Sequence, residues 1–515
     1  MIPMSKMSVP AARAGAAPLR GSEKPALAET GQPVLAETGE RVQKLGMLIC
    51  LCTIIMAVLD SNIVSAASVP IVRDLNPVHG VSELPWLVTA YALAASMVLP
   101  LLGKLSDVYG VKRVFLGSVL AFLTGSALCG MAQSMTELIA FRALQGAGGG
   151  GLMSLSMVVM AQLRTLGPEG TKPKSSGVGF GGVIAGAGMA AGPLIGAFFA
   201  DNLSWRWIFY INLPVGIAVL AGAGLLFRLP RGTGRRDLDV AGALLAACFV
   251  TALLLLTNWA GAEYSWTSTP IITLCLCSVA CLALFLWRQR RAADPILPLS
   301  MFRHPVLRIA LSAQAAIGAV LMGGILFTMI YLQSARGISA ISASLFLIPM
   351  AVAMTAGGIG TARLAGRGWP ARRILLTGQL AVTVALVLMG TTGAATPLSA
   401  LGAELALLGV GFSMLIGQYV LVIQQAAARE QLGVAITSLR LFQTLGGAFG
   451  VAVFGTLLNR MFSRADPHAT YSELATLAGA ARAHAVTALA NGIDAVYLSA
   501  AGLMALALLL TSRLR

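Results

Sequence analysis

Apolar runs of about 18 to 25 residues, recurring from residue 45 almost to the carboxyl end, constrain this chain more than any other feature. A helix rises 1.5 Å per residue, so about 20 apolar residues cross the roughly 30 Å of hydrocarbon in a bilayer. Only 11% of the 515 residues are charged, 57% are hydrophobic and the mean hydropathy is +0.82. A soluble domain carries about 25% charged residues, so a water-soluble core is excluded. The short alternating segments of an outer-membrane barrel are absent, which leaves an all-α protein that crosses lipid many times.

Fourteen spans are expected, at 45–67, 82–102, 113–133, 138–162, 176–200, 207–227, 240–257, 269–287, 309–333, 339–362, 373–391, 397–425, 432–459 and 491–512. An even number puts both termini on one side. With the amino terminus in the cytoplasm, 28 of the 36 Lys and Arg residues face the cytoplasm. Six face outward (Arg73, Arg206, Arg336, Arg460, Arg464, Arg482), and Arg142 and Arg440 lie within spans. Basic residues resist translocation, so this asymmetry sets the orientation. It also accounts for the net charge of +16 without a nucleic-acid partner.

The chain divides into a disordered cytoplasmic tail at 1–43, a six-helix half at 44–228, two inserted spans with a basic loop at 229–308, and a second six-helix half at 309–515. The tail contains the repeat PALAETG and PVLAETG and has no signal-peptide pattern at its start. The outward loop 460–490 is Ala-rich, with a short amphipathic helix expected near 471–486. All seven cysteines fall inside expected spans, and the four histidines are scattered, so no metal or other cofactor is expected. No phosphate-binding G-x-x-x-x-G-K-S/T loop is present.

The loop after the second span reads Gly103-Lys-Leu-Ser-Asp107-Val-Tyr-Gly110-Val-Lys112-Arg113. Its glycines permit a tight turn, and Asp107 is suited to accept hydrogen bonds from a helix amino terminus. This loop resembles the signature G-x-L-A/S-D-R-x-G-x-K/R-K/R of the major facilitator superfamily, with Val108 where Arg is usual. Arg142-Ala-Leu-Gln145-Gly146 resembles the R-x-x-Q-G motif of its proton-coupled members. Gly188-Met-Ala-Ala-Gly192-Pro193-Leu-Ile-Gly196-Ala197 resembles the antiporter motif G-x-x-x-G-P-x-x-G-G, with Ala197 for the last glycine. Further likeness lies in the stretch from Leu59-Asp60 to Pro70, in Trp86 to Tyr91, in Trp205-Arg206-Trp207 to Pro214, and in Ser438 to Gly450. Together these are similar to the fourteen-span drug:proton antiporter family over nearly all of residues 45–512.

The resemblance implies a major facilitator fold, two six-helix halves plus two inserted central helices. It implies a proton-coupled exporter of drugs or other amphiphiles in a bacterial inner membrane, with protons and small amphiphiles as partners and accessory envelope proteins allowed. Gly103, Asp107, Gly110, Lys112 and Arg113 would form a conformational gate. Arg142 would set the protonation of a nearby carboxylate.

Charged side chains inside lipid are expensive and therefore functional candidates. Asp60 and Glu404 are the acids well inside expected spans. Asp60 is the first candidate proton carrier. Glu404 is an alternative carrier, a counter-charge for a cationic substrate, or a partner of Arg440. Asn62, Gln145, Gln314, Tyr331, Gln418 and Gln443, with Met322, Phe327 and Tyr419, are candidate lining for a midplane cavity. The rival readings are an exporter of one endogenous metabolite, such as a siderophore, amino acid or antibiotic, and, more distantly, a passive channel or membrane enzyme.

Overall fold

The computed structural model describes residues 32–514 except 67, 76–79, 166–187, several positions between 189 and 201, 228, 230–238, 261–263, 293–294, 392–395, 429–430 and 466–478. Its elements are α1 (Gln32–Ala66), α2 (Ser68–Leu75), α3 (Gly80–Tyr109), α4 (Val111–Met131), α5 (Met135–Thr165), α6 (Trp207–Tyr210), α7 (Asn212–Leu226), α8 (Val240–Trp259) and α9 (Thr269–Arg291). There follow α10 (Pro305–Ile330), α11 (Ala340–Leu345), α12 (Ile348–Gly366), α13 (Ala371–Met389), α14 (Leu398–Ala426), α15 (Leu432–Ala465) and α16 (Gly479–Ser512). A single π-helical turn, Tyr331–Ala335, closes α10.

Twelve helices among the described residues are long and apolar enough to cross a membrane, so the expected count of fourteen is not reached. Two differences account for this. Most of the expected fifth span, 176–200, lies outside the described residues. The expected tenth is occupied by α11 and α12, where Gly357, Gly358, Gly360, Thr361 and Arg363 dilute the apolar character. The Ala- and Glu-containing stretch before residue 44 has good helix formers, and α1 begins at Gln32, inside the segment expected as tail. Residues 1–31 lie outside the described residues. The expected outward loop is shorter too, because α15 runs to Ala465 and the Ala-rich α16 begins at Gly479.

Apolar side chains gather into two main cores. One joins α1, α3, α4, α5 and α7 through Phe115, Phe122, Leu155 and Phe227. The other joins α10 and α12–α16 through Met350, Phe412, Tyr419 and Tyr497. Between them α3 lies along α15, and α8 leans on both, with Leu99, Val250, Leu254 and Leu441 as a small shared cluster. The inserted pair α8–α9 is held as a hairpin by Asp239. Its carboxylate caps α8 by accepting from Gly242 N (3.0 Å) and accepts from Arg288 Nε (2.9 Å) and Gln289 Nε2 (3.0 Å). Burial pushes the Asp239 carboxyl up, but the Arg288 hydrogen bond and its companions outweigh this and hold it below the usual range.

Candidate functional site

Asp60, near the end of α1, is 1% exposed and Arg142 on α5 is 1% exposed. Arg142 donates to Asp60 Oδ2 at 2.8 Å. Gln145, one turn along α5, and Asn212, the first residue of α7, donate to Asp60 Oδ1 at 2.7 and 2.8 Å. Both amides also donate to Ser126 Oγ on α4, at 3.1 and 3.0 Å, and Ser126 passes its own proton to the Phe209 carbonyl at 2.9 Å. Arg142 further donates to Gln145 Oε1 (2.7 Å) and to the Leu87 carbonyl (3.2 Å), and stacks 4.3 Å from the Tyr91 ring centroid.

The directions of these bonds fix the chemistry. Gln145 Oε1 is committed to Arg142, so its Nε2 faces Asp60; Ser126 is a donor to Phe209, so it can only accept from the amides. Among the described residues, both Asp60 oxygens thus meet only N–H donors.

The glycine at 103 lies where α3 crosses α15. A Cβ there would collide with Thr437 and come within 3.1 Å of Val434 Cα. One turn later Asp107 receives Gly433 N at 3.1 Å and Val434 N at 3.2 Å, placing a carboxylate on the amino terminus of α15. Gly110 has φ 88, the left-handed conformation the turn into α4 needs. Lys112 caps the far end of α7 through the Gly224 carbonyl at 2.7 Å, while Arg113 is exposed. The loop therefore holds the end of α3 against the start of α15.

Gly188, Gly192 and Gly196 are helical and buried, and Gly188 packs on Val58, two residues before Asp60. Pro193 lies outside the described residues, as does the Asn62 side chain.

The other sequence candidates are dispersed. Gln145 is 0% exposed and belongs to the Asp60 network rather than to a cavity wall. Gln314 and Gln418 are buried, with Gln314 Oε1 and Gln418 Nε2 lacking partners. Tyr331 opens the π-helical turn. Glu404 is half-buried with Oε2 unpartnered, and it sits in the electrostatic surroundings of Tyr331 and Tyr497 together with Asp494. It does not pair with Arg440, which donates to Gln443 Oε1 (2.8 Å) and to Met153 Sδ (3.0 Å). Helical rise explains the separation: Glu404 lies about 33 Å along α14 from its junction with α15, Arg440 about 12 Å along α15 from the same point. Met322 is exposed, Phe327 packs on Phe454, and Tyr419 bonds Gln379 and Thr511.

Ser126 and Asn212 were not singled out from sequence as site residues, although Asn212 lies within the motif that runs from Trp205 to Pro214. That motif also anchors α2. Trp205 Nε1 donates to Asp74 Oδ2 at 2.9 Å, Arg206 bonds the same oxygen, and Arg206 also reaches the Ala132 carbonyl at 3.0 Å.

The family model of the Major Facilitator Superfamily matches residues 49–451. The chain belongs to that superfamily. This transporter is 33% identical to the multidrug transporter protein MdtP of Bacillus subtilis over 403 residues, 78% of its own length and 72% of the relative's. It is 34% identical to an uncharacterised MFS-type transporter of Mycobacterium tuberculosis over 80% of its own length, but spans only 59% of that relative. Its fold matches the proton:xylose symporter XylE with a TM-score of 0.60 at 14% identity, over 92% of this chain and 95% of that one. The transporter is thus a multi-pass membrane protein with export-named relatives and not an enzyme.

Proposed function

We propose that this transporter is a proton-coupled antiporter that exports drugs or other amphiphilic compounds across a bacterial inner membrane by alternating access, with both termini cytoplasmic. The observation that carries the reading is the buried Asp60–Arg142 pair, in which the carboxylate also accepts from Gln145 and Asn212.

In this reading the two halves rock about the α3–α15 contact. With Asp60 ionised, the network locks α1, α4, α5 and α7 together. A proton from outside neutralises Asp60 and releases Asn212 and Gln145, which loosens the first half. Opening at the Asp107 clamp then admits substrate from the cytoplasm or inner leaflet. One charge moving through 100 mV is worth about 2.3 kcal/mol, and at about 1.4 kcal/mol per decade one proton supports roughly a fifty-fold gradient of a neutral solute.

Everted vesicles energised acid inside provide the test. Compound-dependent collapse of the pH gradient with wild type, lost in Asp60→Asn, is expected. Collapse that persists in Asp60→Asn moves the carrier role to Glu404. No response to cationic or neutral drugs by well-expressed wild type counts against multidrug export and favours a dedicated metabolite exporter.

A further inference from the structure

Arg440 sits one-quarter of the way along α15, where that helix meets α3 and α5 of the other half. A guanidinium offers five N–H donors and never gives up its charge. The bonds it makes to described residues go to the Gln443 amide oxygen and to the Met153 thioether, a weak acceptor. No carboxylate among the described residues pairs with it. Arg142, the other intramembrane arginine, has a carboxylate, an amide oxygen and a carbonyl. Tyr91 does not compensate Arg440 either: its ring face is taken by Arg142. Its hydroxyl lies along α5 against Gly149, one turn from Met153.

A cation left without a counter-ion in a low-dielectric setting is unfavourable unless something supplies the missing charge. Asp60 is consumed by Arg142. Glu404 is roughly 20 Å further along the membrane by helical rise, and Asp494, about 27 Å from the end of α16 at Ser512, is likewise toward the other face. Arg440 is half-buried at the contact of α15 with α3 and α5, so a solute that enters when this contact opens would meet it.

We propose that Arg440 is the recognition point for a carboxylate on an amphiphilic substrate, with the Tyr91 hydroxyl as a second donor and Met153 as an adaptable apolar floor. The planar fork of the guanidinium matches a carboxylate with two parallel hydrogen bonds, and a thioether side chain tolerates varied apolar bodies. The site favours anionic amphiphiles over lipophilic cations. The inference rests on the reading of this chain as an exporter of amphiphiles.

The test uses purified full-length protein, the fluorescent acid pyrenebutyrate and its methyl ester, with binding followed by anisotropy. Wild type should bind the acid at least about tenfold more tightly than the ester. Arg440→Gln should abolish that difference by weakening binding of the acid far more than of the ester, and Arg440→Lys should keep part of it. Equal affinity for acid and ester, equal loss of both in Arg440→Gln, or no binding of the acid overturns the proposal. The acid-to-ester ratio in wild type decides the matter even if Arg440→Gln fails to fold. Proton-loaded everted vesicles separate this from the wider reading. No transport of acid, ester or rhodamine 6G defeats the exporter assignment itself, whereas transport of ester or rhodamine 6G without preference for the acid defeats only the anion site.

Discussion

Replacing Asp60 by Asn creates a neutral side chain of the same shape, and the hydrogen-bond directions determine how it fares. An Asn has one acceptor oxygen and one NH2 group. Placed toward Arg142, the NH2 meets a guanidinium donor; placed the other way, it meets the donors of Gln145 and Asn212. Either orientation leaves Arg142 buried beside no anion, and breaking a buried pair on one side costs about 3–5 kcal/mol. Asp60→Asn should therefore unfold in detergent at a clearly lower temperature than wild type and lose acid-driven export. Adding Gln145→Glu returns a carboxylate to within reach of Arg142. The double variant should recover most of the lost stability but not export, because the acid no longer bridges α1 to α5. Thermal unfolding followed by size-exclusion, alongside vesicle transport, reads both quantities. An Asp60→Asn protein as stable as wild type would refute the assigned bond directions, and one that still pumps would refute the carrier role.

Gly103→Val should express and fold yet reduce export more than tenfold, because its side chain has no room against Thr437 and Val434 when α3 and α15 close; transport in vesicles checks this. Asp107→Asn removes a charge from the α15 amino terminus and should weaken closure by about 1 kcal/mol, seen as faster maleimide labelling of a cysteine introduced at Ser438. Asp239→Ala, which loses the α8 cap and the Arg288 and Gln289 bonds, should lower stability by about 2 kcal/mol in thermal unfolding. The Arg206 and Trp205 hydrogen bonds hold the Asp74 carboxyl below its ordinary value. A carboxyl lowered on folding stabilises above its unfolded value, so its contribution is present at neutral pH and is lost as the pH falls below about 4 through the lowered folded value. Asp74 is half exposed, so Asp74→Asn should cost at most about 1 kcal/mol at pH 7 and progressively less as the pH falls below about 4, measured as the difference in unfolding temperature.

Membrane class and family were legible because apolar length and local motifs are properties of neighbouring residues. Intramembrane charge pointed to Asp60 and Arg142 for the same reason: an ionised group in lipid stands out against its own span. Partner choice was not legible. Gln145 looked like cavity lining because polarity in a helix does not say which neighbour will face it, and α4 had to pack on α5 before Ser126 came into view. A pairing of Glu404 with Arg440, one of three alternatives open from the sequence, rested on sign of charge alone, and the rise of α14 against α15 places them far apart. The weakly apolar α12 shows the limit of length counting, since its small residues lower its hydropathy while one of them, Gly357, lets it pack closely on Val410 and Ser413 of α14.

Every member of the Asp60 network lies between residues 60 and 212. The charged pair can therefore be made as soon as α7 has entered the bilayer, before any of α8 to α16 is synthesised. An arginine that would resist insertion alone enters with its counter-charge already upstream in the chain, and the first half is complete midway through translation with its most costly residue satisfied. Biogenesis can then proceed as two successive assemblies, the earlier one a finished surface on which α15 docks through its amino terminus onto the waiting carboxylate of Asp107.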